Sequence, residues 1–294
     1  MTTRRWLLIE HPGPWAFDAF GGSGIDPGVR AELVSAVRDT RTRLLLIRRP
    51  GRIHRTWPRS WALVDATEGV PTRWGSWRRD ADLVGVVGQL SGQASPPAPD
   101  STPSSPSAAG SVSAVTDSAD PLLLVCTHGR HDTCCAVRGR PVAAVLAARW
   151  PAQTWECSHV GGDRFAANLL LLPDGAYYGD VEPDEAVDVV SSHLAGAMSV
   201  RHLRGLSTQP PVVQAAVTAV LERFGPAGSR DVRSTGVTRL QENTWRVSLA
   251  CAGPLPRAVA ATVSRSQRAP ALLTCHARQP SMSWQWSVSD LQVG

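Results

Sequence analysis

Short apolar runs bounded by polar turns recur along the 294-residue chain, and their spacing sets the elements it predicts. In the first ninety residues, Trp6 to Ile9, Leu44 to Arg48, Trp61 to Asp65 and a segment near Arg73 to Trp77 read as strands. Asp26-Pro27 opens a helix running to about Asp39, with proline in the first turn where its missing N–H costs nothing. Asp80 to Leu90 reads as a second helix. The HPGPW of residues 11 to 15 reads as a turn with a scaffolding role, and GRIHRTWPRS as a loop.

The same order returns further on. Leu122 to Cys126 is a strand, a polar loop follows, and Pro141 to Trp150 is a helix. Trp155 to Cys157, Asn168 to Leu172 and Ala176 to Val181 are strands, with SHVGGDRF as a loop and PDG as a hairpin turn. Pro183 to Ala197 is a helix. Both stretches read β-α-β-β-β-α, which suits a thioredoxin-like layer of helices on a mixed sheet. The fold class expected is therefore α/β (α+β), two such units followed by a small C-terminal α+β tail. That tail starts with an amphipathic helix, Val212 to Phe224, and continues in segments at Thr235 to Leu240, Thr244 to Leu249, Ala271 to Cys275 and Met282 to Val288.

Composition divides the chain. Residues 91–120 are almost wholly Ser, Pro, Ala, Gly and Asp, with no aromatic side chain, and cannot bury enough surface to offset ordering entropy. The expected organisation is a ligand-free unit over 1–90, a flexible linker over 91–120, a working unit over 121–206 and the tail over 207–294. The net charge is +5, and every one of the 30 basic residues is Arg, a pattern that reflects a GC-rich genome. No run of five like charges occurs, so a nucleic-acid arm or a polybasic membrane patch is not expected. The apolar runs are far shorter than the ~20 residues that cross a bilayer, and the N-terminal one is too short for a signal peptide. The expected location is the cytoplasm, where six cysteines would be reduced or metal-bound.

Four of the six cysteines and three of the eight histidines fall between Cys126 and His159. The text is CTHGRHDTCC, then 21 residues, then CSHVGGDRF. The two groups follow the first and second strands of the second unit, so parallel neighbours would bring them to one end of the sheet. Cys157 and His159 would share one side of an extended strand. Gly161 and Gly162 would let backbone pass close to a bulky inorganic group. Arg130, Arg138, Arg140 and Arg164 would surround the site. An iron–sulfur cluster, a zinc ion, a thiol redox site and plain packing all remain open on chemistry alone. Two features weigh against two of them: common zinc motifs pair ligands two to four residues apart, and no Cys-x-x-Cys occurs. His128 and His131 read as solvent-facing or as groups behind the ligands, Cys251 and Cys275 as small buried apolar residues, and Trp155 as core.

CTHGRHDTCCAVRGRPV followed by WECSHVGGDRFAANLLLLPDGAYYGDV resembles the sucrase/ferredoxin-like family of thioredoxin-like [2Fe–2S] proteins. The segments RRWLLIEHPGPW and LLIRRPGR are similar to it too, so the resemblance spans about residues 4–200 without the linker. It implies a [2Fe–2S] cluster held by two Cys of a C-x8-C loop and two His of an H-x3-H loop. Those positions fall on Cys126, Cys135 and His159, but the second His position holds Asp163. Asp163 could ligate through oxygen, Cys157 could replace it (with Cys134 and Cys135 able to exchange roles), or the cluster could be lost. Either replacement makes the oxidised centre one charge more negative than bis-His ligation. Its potential is therefore expected between Rieske centres and all-Cys ferredoxins, on the order of −200 to −350 mV. The function implied is electron transfer to or from a redox protein, an acidic one given the flanking Arg residues, with no catalytic nucleophile. A thiol–disulfide oxidoreductase using Cys134, Cys135 or Cys157, and a cluster-less structural member, are the alternatives.

Overall fold

A computed structural model of the chain describes residues 2–51, 56–90, 115–275 and 277–294. Most of the expected linker (91–114), part of the GRIHRTWPRS loop (52–55) and His276 lie outside the described residues. The first unit contains β1 (Arg5–Glu10), α1 (Pro27–Asp39), β2 (Thr42–Arg48), β3 (Arg59–Asp65), β4 (Thr72–Trp77) and α2 (Val84–Leu90). The Asp26 carboxylate caps α1 by accepting the N–H groups of Gly28 and Val29 at 2.8 and 3.1 Å. The end of the expected linker is ordered: Thr116–Ser118 forms β5 on the edge of β4.

The second unit repeats the order with β6 (Leu122–Cys126), α3 (Thr133–Arg149), β7 (Thr154–Cys157), β8 (Leu169–Leu172), β9 (Ala176–Tyr178) and α4 (Ala186–Leu194). β10 (Leu203–Leu206) ends that unit, and the tail supplies α5 (Pro211–Phe224), β11 (Val232–Gln241), β12 (Thr244–Cys251), β13 (Ala258–Ala271) and β14 (Ser281–Val293). Two expectations shift here. β10 lies in a stretch given no strand. The third tail strand is β13, which ends at Ala271 instead of starting there; its polar, exposed outer half hides the alternation that marks its inner half.

All strands through β10 form one sheet in the order β10-β9-β8-β6-β7-β2-β1-β3-β4-β5. In each unit the first and second strands are parallel and the third and fourth antiparallel. The units meet where β2 and β7 pair antiparallel through Ile47–Cys157 and Arg48–Glu156. Equivalent strands therefore touch across an approximate two-fold axis perpendicular to the sheet. The loops that follow β1 and β6 both end beside that axis.

Helices cover one face of this sheet. Leu7, Ile9, Leu46 and Leu63 pack with Val29 and Leu33 of α1 and Val86 of α2. Leu123, Val125, Leu169 and Leu171 pack with Val142, Ala143 and Leu146 of α3 and with residues of α4 and α5. The opposite face is a single core shared by both units: Trp6, Leu8, Leu45, Ile47, Leu122, Leu124, Cys126, Trp155 and Cys157 are all at most 3 % exposed. The sheet closes over it, with Trp74 of β4 stacked on Trp155 of β7 at 5.8 Å and Thr3 N–H donating to the Ser207 carbonyl. The remaining strands, β11-β12-β13-β14, form a separate antiparallel sheet whose inner face packs on α5.

Candidate metal centre

The site is built at the C-terminal ends of β6 and β7, next to the axis. Cys126 is the last residue of β6. Cys135 lies in the first turn of α3, which starts at Thr133, eight residues before the expected Pro141. Asp132 sets that start: its carboxylate accepts the Cys134 N–H at 3.1 Å, and an N-cap outweighs the preference for proline in the first turn. Pro141 therefore sits inside the helix. One turn after Cys135, Gly139 lets α3 approach β6. A Cβ there would run into the Cys126 carbonyl.

His159 and Asp163 come from the loop after β7, which ends at Cys157. Gly161 and Gly162 have φ of +90° and +77°, which glycine alone adopts freely. A Cβ on Gly161 would meet nothing within 4 Å, so backbone conformation, not close packing, calls for glycine there. The turn carries the chain back so that Asp163 faces His159.

The Sγ atoms of Cys126 and Cys135 and a ring nitrogen of His159 all lie within 4.8 Å of one another. Asp163 joins them: its Oδ1 is 3.5 Å from Cys135 Sγ, which donates to it, and 3.1 Å from His159 Nδ1. That Nδ1 is buried and, despite the short approach, makes no properly directed hydrogen bond. A donor set of two sulfurs, one imidazole nitrogen and one carboxylate oxygen fits a thiophilic metal or an iron–sulfur group. His131 is a further nitrogen donor at the same place. It stacks on His159 at 3.7 Å between ring centroids and groups with His159 and Asp163.

Electrostatics follow from this packing. The Cys135 thiol, then His159 and the N–H groups of His128 and Val160, hold Cys126 well below the usual thiol range against the effect of burial. Cys126 and burial together push Cys135 up. Burial works to lower the His159 pKa, but Asp163 and Cys126 outweigh it and raise it to about 9. Burial likewise works to raise Asp163, and His159 outweighs it and holds the carboxyl below its usual range. The packing thus favours a proton on His159 facing the Asp163 carboxylate and a neutral Cys135 beside the more acidic Cys126.

Other expected residues fall in different places. Cys157 is fully buried in the shared core, outside the converging donors, and burial pushes its thiol up. It does not share a strand face with His159, because β7 stops between them. Arg130, Arg138, Arg140 and Arg164 are all exposed at the surface. Arg138 donates to the Ala166 carbonyl at 3.2 Å and Arg164 lies over the Phe165 ring. The guanidinium at the site is Arg43 of the first unit, which donates to the His159 carbonyl at 3.1 Å.

His128 is 2 % exposed. Its Nε2 lies 2.6 Å from the Ala16 carbonyl, and its Nδ1 accepts the His159 N–H at 3.3 Å. Accepting at Nδ1 fixes the Nε2–H tautomer, and burial lowers the ring's pKa. The HPGPW region is thus more than a turn. Its following residues wall the site, with Phe17 stacked on His131 at 4.7 Å and a cleft of about 330 Å³ between Phe17, Phe20, Leu44 and the three histidines. No long-range sequence signal tied Arg43 or Ala16 to this site.

Two cysteines depart from the expected reduced state. Cys134 and Cys275 form a disulfide, so Cys275 is not a small buried residue. Cys126, Cys135, Cys157 and Cys251 are free. No helix among the described residues is long and apolar enough to cross a membrane.

A curated relative, altered inheritance of mitochondria protein 32 of Meyerozyma guilliermondii, is 30 % identical over 95 residues, 29 % of this chain and 34 % of that one. The match thus spans about a third of the relative's length. A solved thioredoxin-like [2Fe-2S] ferredoxin from Aquifex aeolicus aligns at 20 % identity over 31 % of this chain and 94 % of its own, with a TM-score of 0.26. The sucrase/ferredoxin-like family model matches residues 3–205, well over half of the sequence. Two β-α-β-β-β-α units with the Cys and His loops of the second converging at one end complete the assignment: the chain belongs to the sucrase/ferredoxin-like family.

Proposed function

We propose that the chain is a cytoplasmic electron-transfer protein that binds a [2Fe–2S] cluster through Cys126, Cys135, His159 and Asp163. The observation that carries this reading is the convergence of two sulfurs, an imidazole nitrogen and a carboxylate oxygen at the ends of β6 and β7. A bound [2Fe–2S] group supplies one-electron redox chemistry. The chain's residues do the rest. His128 holds the His159 backbone, Gly161 and Gly162 turn the loop, and Phe17 and Phe20 line the cleft. The exposed Arg130, Arg138, Arg140 and Arg164, which neighbour the ligands in sequence, suit an acidic redox partner.

The test is reconstitution of the anaerobic full-length protein with iron and sulfide. Absorption between about 300 and 600 nm, with iron and sulfide in equal amounts, is expected. A colourless protein retaining free thiols after reconstitution refutes the reading.

A further inference from the structure

The structure assigns a second redox site to this chain, the dithiol–disulfide pair Cys134–Cys275, whose closure fastens the tip of the β13–β14 ribbon to the N-terminus of α3. Several independent observations place it there. The two cysteines are 141 residues apart in sequence, and their Cα atoms lie 6.6 Å apart, a separation a disulfide spans. The Asp132 carboxylate, fully buried, joins the same two segments: one oxygen caps α3 at the Cys134 N–H and the other accepts the Cys275 N–H at 2.9 Å.

Among the described residues, the ribbon tip is largely exposed. The outer halves of β13 and β14 are exposed, Leu272 is 59 % exposed, and Cys275 itself is at the surface. Cys275 also lies beyond residue 205, where the family match ends. The tail therefore contributes the partner of a cysteine that adjoins Cys135 of the metal centre. In the cytoplasmic location proposed above, a disulfide with one exposed cysteine is a reversible one.

The exchange balances with a dithiol of the thioredoxin class, or two molecules of a monothiol such as glutathione. A reductant thiolate attacks the sulfur of the exposed Cys275, the S–S bond breaks, and Cys134 leaves as a thiolate that takes up a proton. A second reductant thiol then displaces Cys275, which is protonated in turn. Two electrons and two protons enter the protein, and the reductant leaves as its disulfide. With the bond open, the covalent tie between the tip and α3 is gone and the tip is released to local opening.

The test uses full-length, metal-free protein equilibrated in glutathione buffers of varied ratio, then acid-quenched, denatured and alkylated. In oxidising buffer four of the six cysteines are expected to take label, with Cys134 and Cys275 recovered as one linked peptide; in reducing buffer all six take label. Tryptic cleavage at Arg278 of the native protein is expected to quicken on the order of tenfold on reduction, as a segment opens locally. Cys275→Ser should be cleaved at the fast rate in both buffers, while Cys251→Ser should respond like the wild type. Six labelled cysteines at every ratio, a Cys134–Cys135 linkage, or a cleavage rate indifferent to redox state would each overturn the assignment. Every readout is made without iron, so failure here and failure of the cluster reading are separable.

Discussion

Arg48 and Glu156 face each other across the junction of β2 and β7, with Nε to Oε2 at 2.7 Å and side chains only 13 % and 7 % exposed. Thr127 Oγ1 donates to the same Glu156 oxygen at 3.0 Å, and the Arg48 guanidinium lies over the Trp15 ring at 4.4 Å. Replacing Glu156 with Ala leaves a largely buried guanidinium facing, among the described residues, the Trp15 ring and the Thr127 hydroxyl. Breaking a buried pair from one side costs about 3–5 kcal/mol. At about 2–4 °C per kcal/mol for a chain of this size class, the thermal midpoint should fall by roughly 6–20 °C. The double replacement Arg48→Met with Glu156→Leu removes both charges and fills similar volume. It should return to within about 1 kcal/mol of wild type, because desolvation of the pair largely offsets its attraction. Near-ultraviolet circular dichroism on heating reads all three proteins. A Glu156→Ala loss below about 1 kcal/mol would show that solvent reaches the junction and that the pair does not hold the units together.

Other outcomes follow from the same geometry. Because the folded-state pKa of His159 is raised from 6.5 to about 9, its contribution to the metal-free protein is full below pH 6.5 and disappears as the pH rises through 9. The shift corresponds to about 3 kcal/mol before screening, and partial exposure brings it to about 1–2 kcal/mol. Urea midpoints at pH 6 and pH 9.5 should show the decline and Asp163→Asn should flatten it; equal slopes in the two proteins would contradict the His159–Asp163 ion pair. Gly139→Val should destabilise the fold by about 1–3 kcal/mol by forcing α3 off the Cys126 carbonyl. Gly88→Ala in α2, where a Cβ meets open space, should instead stabilise it by about 0.4–1 kcal/mol in the same denaturation assay. After iron–sulfide reconstitution, Asp163→Ala should lose bound iron while Cys157→Ala keeps it, and the reverse pattern would move the fourth ligand into the shared core.

The repeated element order was legible because each strand is a short apolar run between turn residues, and β6 matches its reading from Leu122 to Cys126. The start of α3 was not. Pro141 is a strong local signal, whereas Asp132 caps only because the loop delivers it to a buried position against the ribbon tip. The grouping of Cys126, Cys135 and His159 could be read from loop placement, since parallel neighbouring strands end on one side. Arg43, Ala16 and Phe17 could not, because they reach the site across the junction of the two units, a relation set by tertiary structure. The Cys134–Cys275 bond was hidden for a similar reason. Nothing local in a hairpin tip at residue 275 points to a helix start at residue 133.

The antiparallel meeting of β2 with β7 also decides what can be separated from what. A fragment holding only the ligand-bearing unit would present β7 as a bare edge, its N–H and C=O groups free to recruit another strand. It would also open the face bearing Trp155, Cys157 and Leu124 to water. The copy without ligands thus covers an edge of its twin, and a fragment of the ligand-bearing unit alone is expected to self-associate.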